Sequence, residues 1–247
     1  MKRFNFNEFI KFITLFLLSL FLYNLNATGN IKLFITPKLI FYVNILQIAL
    51  IILTLYQLKK SFTIATYKRS NKVHLLFIFT IIVGYGASKA GIDTTIVDNK
   101  GVKAINKLAN VSGELTAEER AKKLPLNITS ENYVASLSDM FQHVSEYKGR
   151  QVTISGFIHK EQGLDTNEFV ISRLYMSCCI ADSQIVGPIG RIRDRSIDFK
   201  EGQWVTVVGK VSEKDQVQDG QKTVTPVVVA DSFQTIQKPS DPYVYLK

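Results

Sequence analysis

The apolar positions of this chain crowd its first ninety residues, and a period-two alternation of apolar and polar positions occupies its second half. Residues 9–25 (FIKFITLFLLSLFLYNL) are apolar apart from Lys11, Thr14, Ser19 and Asn24. Leu39–Leu58 is an uncharged run of bilayer length whose polar positions include Asn44 and Gln47. Val73–Ser88 is a third apolar run, about 24 Å long as a helix. The pattern predicts helices over about 9–26, 39–58 and 73–88, an α-helical membrane region filling residues 1–90. Asn44 and Gln47 are three apart and share one helical face. A helix–helix hydrogen-bonding role is favoured for that face over a transport path. Gly84 and Gly86 either offer a point of close approach for a neighbouring helix or fray the helix end. Lys2 and Arg3 before the first run also suit a signal peptide, but the long apolar stretch and the poor cleavage sequence favour a retained span.

Residues 91–128 read as a connector. Thr116-x-x-Glu119 has capping-box spacing and opens a short helix that Pro125 stops. A second helix is expected over about 131–145, capped by Thr129 or Ser130, with Tyr133, Leu137, Met140, Phe141 and Val144 on one stripe and His143 off it. From Gln151 onward, strands are expected at Gln151–His159, Glu168–Cys178, Trp204–Ser212 and Thr223–Ile236. Ser183–Arg195 is a segment broken around Gly187-Pro188-Ile189-Gly190. Five short strands, with Gly156 and Gly209 placed mid-strand where a barrel must bend, predict a small closed barrel of OB type, with a β-sandwich as the alternative. The fold expected is thus a membrane α-helical N-terminal region plus a mainly β C-terminal domain, the latter over residues 129–247.

Charge adds topology. The chain carries a formal +9 at pH 7. Residues 1–90 hold eleven Lys/Arg against Glu8 alone, a net of +10, whereas residues 91–247 hold nineteen against twenty acids, a net of −1. The basicity therefore belongs to the apolar half, where it marks membrane orientation and not nucleic-acid binding. Five cations fall between the second and third runs (Lys59, Lys60, Lys68, Arg69, Lys72) and two between the first and second (Lys32, Lys38). That bias sets the N-terminus and the five-charge loop in the cytoplasm. Three crossings then put the C-terminal domain on the extracytoplasmic side of the cell membrane.

The candidate chemistry sits in Phe169–Asp182 (FVISRLYMSCCIAD), which holds both cysteines, Cys178 and Cys179. Two cysteines exclude a disulfide framework and an all-cysteine tetrahedral zinc site within one chain. On a continuous strand the two side chains would point to opposite faces, so a bidentate thiolate clamp requires a strand break at the pair. Cys178 continues the inward alternation Val170, Leu174, Met176. Asp182, His143 and His159 are the other donors available for a transition metal such as zinc. A vicinal disulfide used in thiol-redox or assembly work is the second reading, and two merely packed cysteines in a scaffold the third. Arg173 and His159 read as polar positions on neighbouring strands, Arg173 making a contact on the domain face. Arg191, Arg193 and Arg195 alternate along an exposed charged loop. P-loop, dinucleotide, nucleophile-elbow and zincin signatures are absent, and the chain reads as a non-enzyme.

These residues also resemble a known family. Thr28-Gly29-Asn30-Ile31 through Pro37, Gly149, Gly156-Phe157, Arg173, Met176-Ser177-Cys178-Cys179-Ile180-Ala181-Asp182, Trp204-Val205, Gly209 and Pro242-Tyr243-Val244-Tyr245 are similar to the YcgQ-like bacterial membrane proteins, described as permease subunits. Cys-Cys-x-Ala-Asp is the most specific piece. Such proteins commonly carry His before the Pro of the first loop, where this chain has Thr36. The resemblance implies a partner of a multi-span permease, with some members tied to zinc-responsive regulation. It raises the weight on Cys178, Cys179 and Asp182 without assigning their chemistry. The expectation is an accessory permease subunit with the lipid bilayer, a multi-span permease and a second copy of itself as partners.

Overall fold

The computed structural model describes residues 5–62, 73–90, 125–161, 163–193, 199–218 and 221–245. The expected helix at Thr116 and the loop cations Lys68, Arg69 and Lys72 lie outside them. The chain divides into two units, Met1–Ile92 and Asp93–Lys247.

The first unit is helical. Helix α1 spans Phe6–Ala27, α2 Ile40–Lys60 and α3 Val73–Ala90. Asn5 caps α1 by accepting the Glu8 amide at 3.4 Å. Gly29, with φ of 74°, turns the chain out of α1, and a left-handed residue there favours glycine. Pro37 opens the short turn that leads into α2. α1 and α2 form an antiparallel hairpin stitched by three polar rungs. Asn26 donates to Asn44 Oδ1 at 2.7 Å, Gln47 to Ser19 Oγ at 2.9 Å and Gln57 to Glu8 Oε2 at 2.6 Å. The polar face of α2 is thus spent on α1, as its spacing suggests. α3 also packs on α1, where a Cβ on Gly84 would stand 2.9 Å from the Phe21 ring. Two helices, Phe6–Ala27 and Pro37–Lys60, are long and apolar enough to cross a membrane. The third expected span falls short of that measure among the described residues: its apolar part is Leu76–Ala87, about 18 Å of helix.

The second unit is mainly β. Its strands are β1 (Leu126–Ile128), β2 (Gln151–His159), β3 (Glu168–Tyr175), β4 (Gln184–Val186), β5 (Ile189–Ile192), β6 (Trp204–Gln218), β7 (Gln221–Thr235) and β8 (Tyr243–Val244). β2 pairs antiparallel with both β3 and β6, β6 antiparallel with β7, β7 parallel with β5, and β5 antiparallel with β3. That circuit closes on itself: five strands make a small barrel of OB type. β1, β4 and β8 attach to its margins. The two mid-strand glycines mark a close backbone approach and a break in register. A Cβ on Gly156 would stand 2.5 Å from the Ser172 carbonyl oxygen, and Gly209 follows the register shift in β6.

Helix α4 (Tyr133–Gln142) and the short α5 (Val144–Tyr147) cover the barrel core. Tyr133, Leu137 and Met140 of the expected stripe are fully buried among Ile154, Ile158, Phe169 and Val205. The helix begins later than expected. Asn132 accepts from the Thr129 amide and hydroxyl, so the residues read as caps are held in the preceding turn. The β6–β7 hairpin also runs further than the alternation suggests. Asp215–Gln218 pairs with Gln221–Val224 as ladder, filling most of the gap that the expected strands leave between Ser212 and Thr223.

Candidate metal centre

β3 ends at Tyr175, three residues earlier than the alternation predicts. Tyr175 pairs with Gln184 across β4, and the chain between them forms the turn that carries both cysteines. Asp182 explains the break. Its carboxylate accepts the Cys178 amide at 2.7 Å and the Cys179 amide at 3.3 Å. Two amides that would have extended the ladder are instead satisfied inside the turn. A one-turn 3-10 helix, Ile180–Asp182, follows with Cys179 at its N-cap. Ser183 Oγ donates to the Ile180 carbonyl at 2.7 Å and closes it.

The consequence is the clamp that a continuous strand forbids. The two Sγ atoms lie 3.7 Å apart. With an Asp182 carboxylate oxygen they form a set of three donor atoms within 4.8 Å of one another. Cys178 is exposed and Cys179 half-buried, so the expected inward placement of Cys178 is corrected: the break takes it out of the core. The hydrogen bond to Asp182, then that to Cys179, pushes the Cys178 thiol up to about 11. Burial raises the Asp182 carboxyl, but bonds from the Cys178 thiol and the Cys178, Cys179 and Ser177 amides outweigh it and hold it below the usual carboxylate range. Three groups that can each carry negative charge thus converge on one open turn.

The other candidates lie elsewhere. His159 sits opposite Val170 in the β2–β3 ladder, about 16 Å along β3 from the start of the turn. Its Nδ1 is 3.0 Å from Glu201 Oε1, so it is not in the donor set. His143 occupies the break between α4 and α5, with Nδ1 3.2 Å from the Asp139 carbonyl oxygen. Arg173 is not a face contact: only 3% exposed, it lies 5.1 Å from the Trp204 ring centre. Burial lowers its guanidinium pKa, against the charges of Tyr133 and Asp241. Arg191 is not loose on a charged loop either. It holds the buried Glu168 with bonds of 2.7 and 2.9 Å, and Lys214 holds the other carboxylate oxygen at 2.6 Å. Arg193 faces Asp231 at 3.9 Å, and Arg195 lies outside the described residues. Two buried pairings escaped the sequence: this Glu168 cluster, and Tyr147, whose hydroxyl donates to Asp139 at 2.5 Å. No local spacing signals either, because the partners are distant strands or lie two helical turns apart.

Two family domains cover almost the whole chain: the DUF1980 N-terminal domain matches residues 10–103 and the DUF1980 C-terminal domain residues 106–246. The chain belongs to the DUF1980 family. The UPF0703 protein YcgQ of Bacillus subtilis (strain 168) is 24% identical over 196 residues, which is 70% of this chain and 68% of that protein. A Streptococcus mutans protein named "Putative two-component membrane permease complex subunit" is 32% identical over 120 residues, 49% of this chain and 42% of its own length. The YcgQ-like resemblance is therefore sound as a statement of family. Among solved structures, the small single-stranded DNA-binding protein of Streptomyces coelicolor aligns with 36% of this DUF1980 chain and 94% of its own, at 10% identity and a TM-score of 0.27.

Proposed function

We propose that this DUF1980 protein is an accessory subunit of a bacterial membrane permease, and that its barrel presents a transition-metal site at Cys178, Cys179 and Asp182. One observation carries the metal reading: two sulfurs 3.7 Å apart with a carboxylate beside them on an exposed turn. Tetrahedral zinc with bonds of about 2.3 Å sets two thiolates about 3.8 Å apart, whereas a linear pair would stand about 4.6 Å apart. The separation suits a tetrahedral divalent ion. Three donors leave a fourth position open, which is the mark of a site that exchanges its ligand and not of one that only staples the fold. An accessible site of this kind suits an ion held in transit at the mouth of a permease.

The membrane reading rests on the two long apolar helices and on the cations at and after the end of α2, and it takes as a third crossing the whole of α3, whose 18 residues extend past the short apolar part Leu76–Ala87. By the positive-inside bias the barrel lies outside the cytoplasmic membrane. Three helices are too few to enclose a path built from inverted repeats. The named role of the Streptococcus mutans relative supports a multi-span partner. The test uses the full chain in detergent. Cys178→Ser/Cys179→Ser is expected to abolish zinc binding, and unchanged zinc affinity would sink the metal role. Co-purification with a multi-span membrane protein is the expected result for the subunit role, and solubilised protein recovered alone under mild detergent would count against it.

A further inference from the structure

The cysteine turn is rooted between two strands. β4 holds one side through Tyr175 and Gln184. On the other side β8 runs parallel to β3, with Leu174 opposite Tyr243 and Tyr175 opposite Val244. The Met176 amide donates to the Val244 carbonyl at 3.1 Å, two residues before Cys178. β8 therefore sets the direction in which the chain leaves β3 for the turn.

A strand of only two residues stays docked only if something ties it down. Arg173 does this from inside the barrel wall. Its Nη2 donates to the Asp241 carbonyl at 3.4 Å and the Tyr243 carbonyl at 3.5 Å, and to Ser130 Oγ at 2.8 Å. Asp241 in turn shapes the tail, accepting the Tyr243 amide at 3.0 Å and lying 3.4 Å from the Tyr245 hydroxyl. The guanidinium is an expensive way to fill this place. It is almost wholly buried, its bonds go to a hydroxyl and two carbonyls, and its Nε is buried without a partner. A buried cation of this kind is poor support for a stability role, because an apolar side chain of similar volume is often as stable or more so.

We propose that Arg173, acting through the docked C-terminal strand, is the positioning residue of the Cys178–Cys179–Asp182 site. It latches β8 against β3, and β8 sets the exit of the turn so that the two sulfurs converge. The latch rests on the metal reading above. By linkage, an ion in the turn then holds the tail more tightly, and a released tail loosens the ion.

The experiment titrates the full chain in detergent with Co(II), whose thiolate charge-transfer and tetrahedral ligand-field bands report the donor geometry. Arg173→Met, and separately a chain ended after Lys238, are each expected to weaken Co(II) by about 10- to 100-fold, the range for groups that orient metal ligands. Both should dim the tetrahedral bands. Arg173→Lys keeps the cation and should recover part of the loss. The two lesions combined should bind no more weakly than either alone, since they remove one latch. Should Arg173→Met unfold the barrel by circular dichroism, the shortened chain and Arg173→Lys still carry the comparison. Wild-type affinity and spectrum in both lesions, or losses that add, overturn the latch while leaving the metal reading in place. A wild-type chain that binds no Co(II) overturns both.

Discussion

The Asp182 carboxylate accepts the Cys178 amide at 2.7 Å, and the same carboxylate, ahead of Cys179, is the largest cause that pushes the Cys178 thiol up to about 11. The turn thus keeps its exposed thiol protonated near neutral pH. An activated redox cysteine has the opposite character, with a pKa lowered by a cation or a helix N-terminus. In the chain without metal, Asp182→Asn removes the charge and lowers the Cys178 pKa toward the ordinary thiol range. Alkylation by iodoacetamide, followed against pH at Cys178, should show a midpoint that moves down in the variant. A midpoint that stays or rises would mean that the carboxylate does not govern the thiol.

Glu168 is the buried carboxylate of the barrel wall, held by Arg191 and Lys214. Burial raises its pKa, but the bonds from Lys214, Arg191 and the Asp165 amide prevail and leave it below the usual carboxylate range. A folded pKa below the unfolded one contributes stability that is present above the unfolded value and lost as pH falls through the folded value. The contribution should therefore be intact at neutral pH and fade below about 4.5. Glu168→Ala leaves two cations facing each other without their carboxylate, and should cost about 3 kcal/mol at pH 7. Denaturant midpoints at pH 7 and pH 3.5 would check this, since the gap between variant and wild type should narrow in acid.

The strands that alternate cleanly are readable in the sequence, and the contacts between distant elements are not. Val152, Ile154 and Ile158 mark the inner face of β2 by period two, and the structure buries all three. The alternation Leu174, Met176, Cys178 continues past the true end of β3, because nothing apolar signals that Asp182 takes the next amides. The available signal is Cys179-x-x-Asp182, a capping box with a cysteine in the place of serine or threonine. Arg173 reads as a surface residue for another reason. A strand buried on one face shows polar residues on the other, but here the hydroxyl of Ser130 before α4 and the carbonyls of Asp241 and Tyr243 take the guanidinium, and the residue is buried. The tail that does this is only two paired residues long, too short to carry a period of its own.

In the helical unit, Gln47 donates to the Ser19 hydroxyl and carbonyl of α1. Its side-chain oxygen is buried without a partner. Gln47→Leu loses a bond worth about 1 kcal/mol but also removes that unmet acceptor. The hairpin should therefore change by less than about 1 kcal/mol. Unfolding in mixed detergent micelles would measure it. A much larger loss would show that this rung holds the hairpin. A transport defect at unchanged stability would instead place Gln47 on a path through the membrane.

Metal and redox use of the cysteine pair part over what happens to the protons. Tetrahedral zinc binds thiolates, so occupancy must expel a proton from each thiol it ligates. If one proton leaves each of the two ligating thiols, the logarithm of the zinc affinity should rise with pH at a slope approaching 2. Zinc should also shield both cysteines from alkylation together, because a 3.7 Å pair ligates as a unit. A slope near 1 with one cysteine still reactive would assign ligation to a single sulfur. If the pair works by redox cycling, a mild disulfide oxidant should consume both thiols at once whether or not zinc is present, since a bound ion would have no claim on them. Protection by zinc against that oxidant, lost in Asp182→Asn, is the outcome expected of a three-donor site in which the carboxylate completes the set.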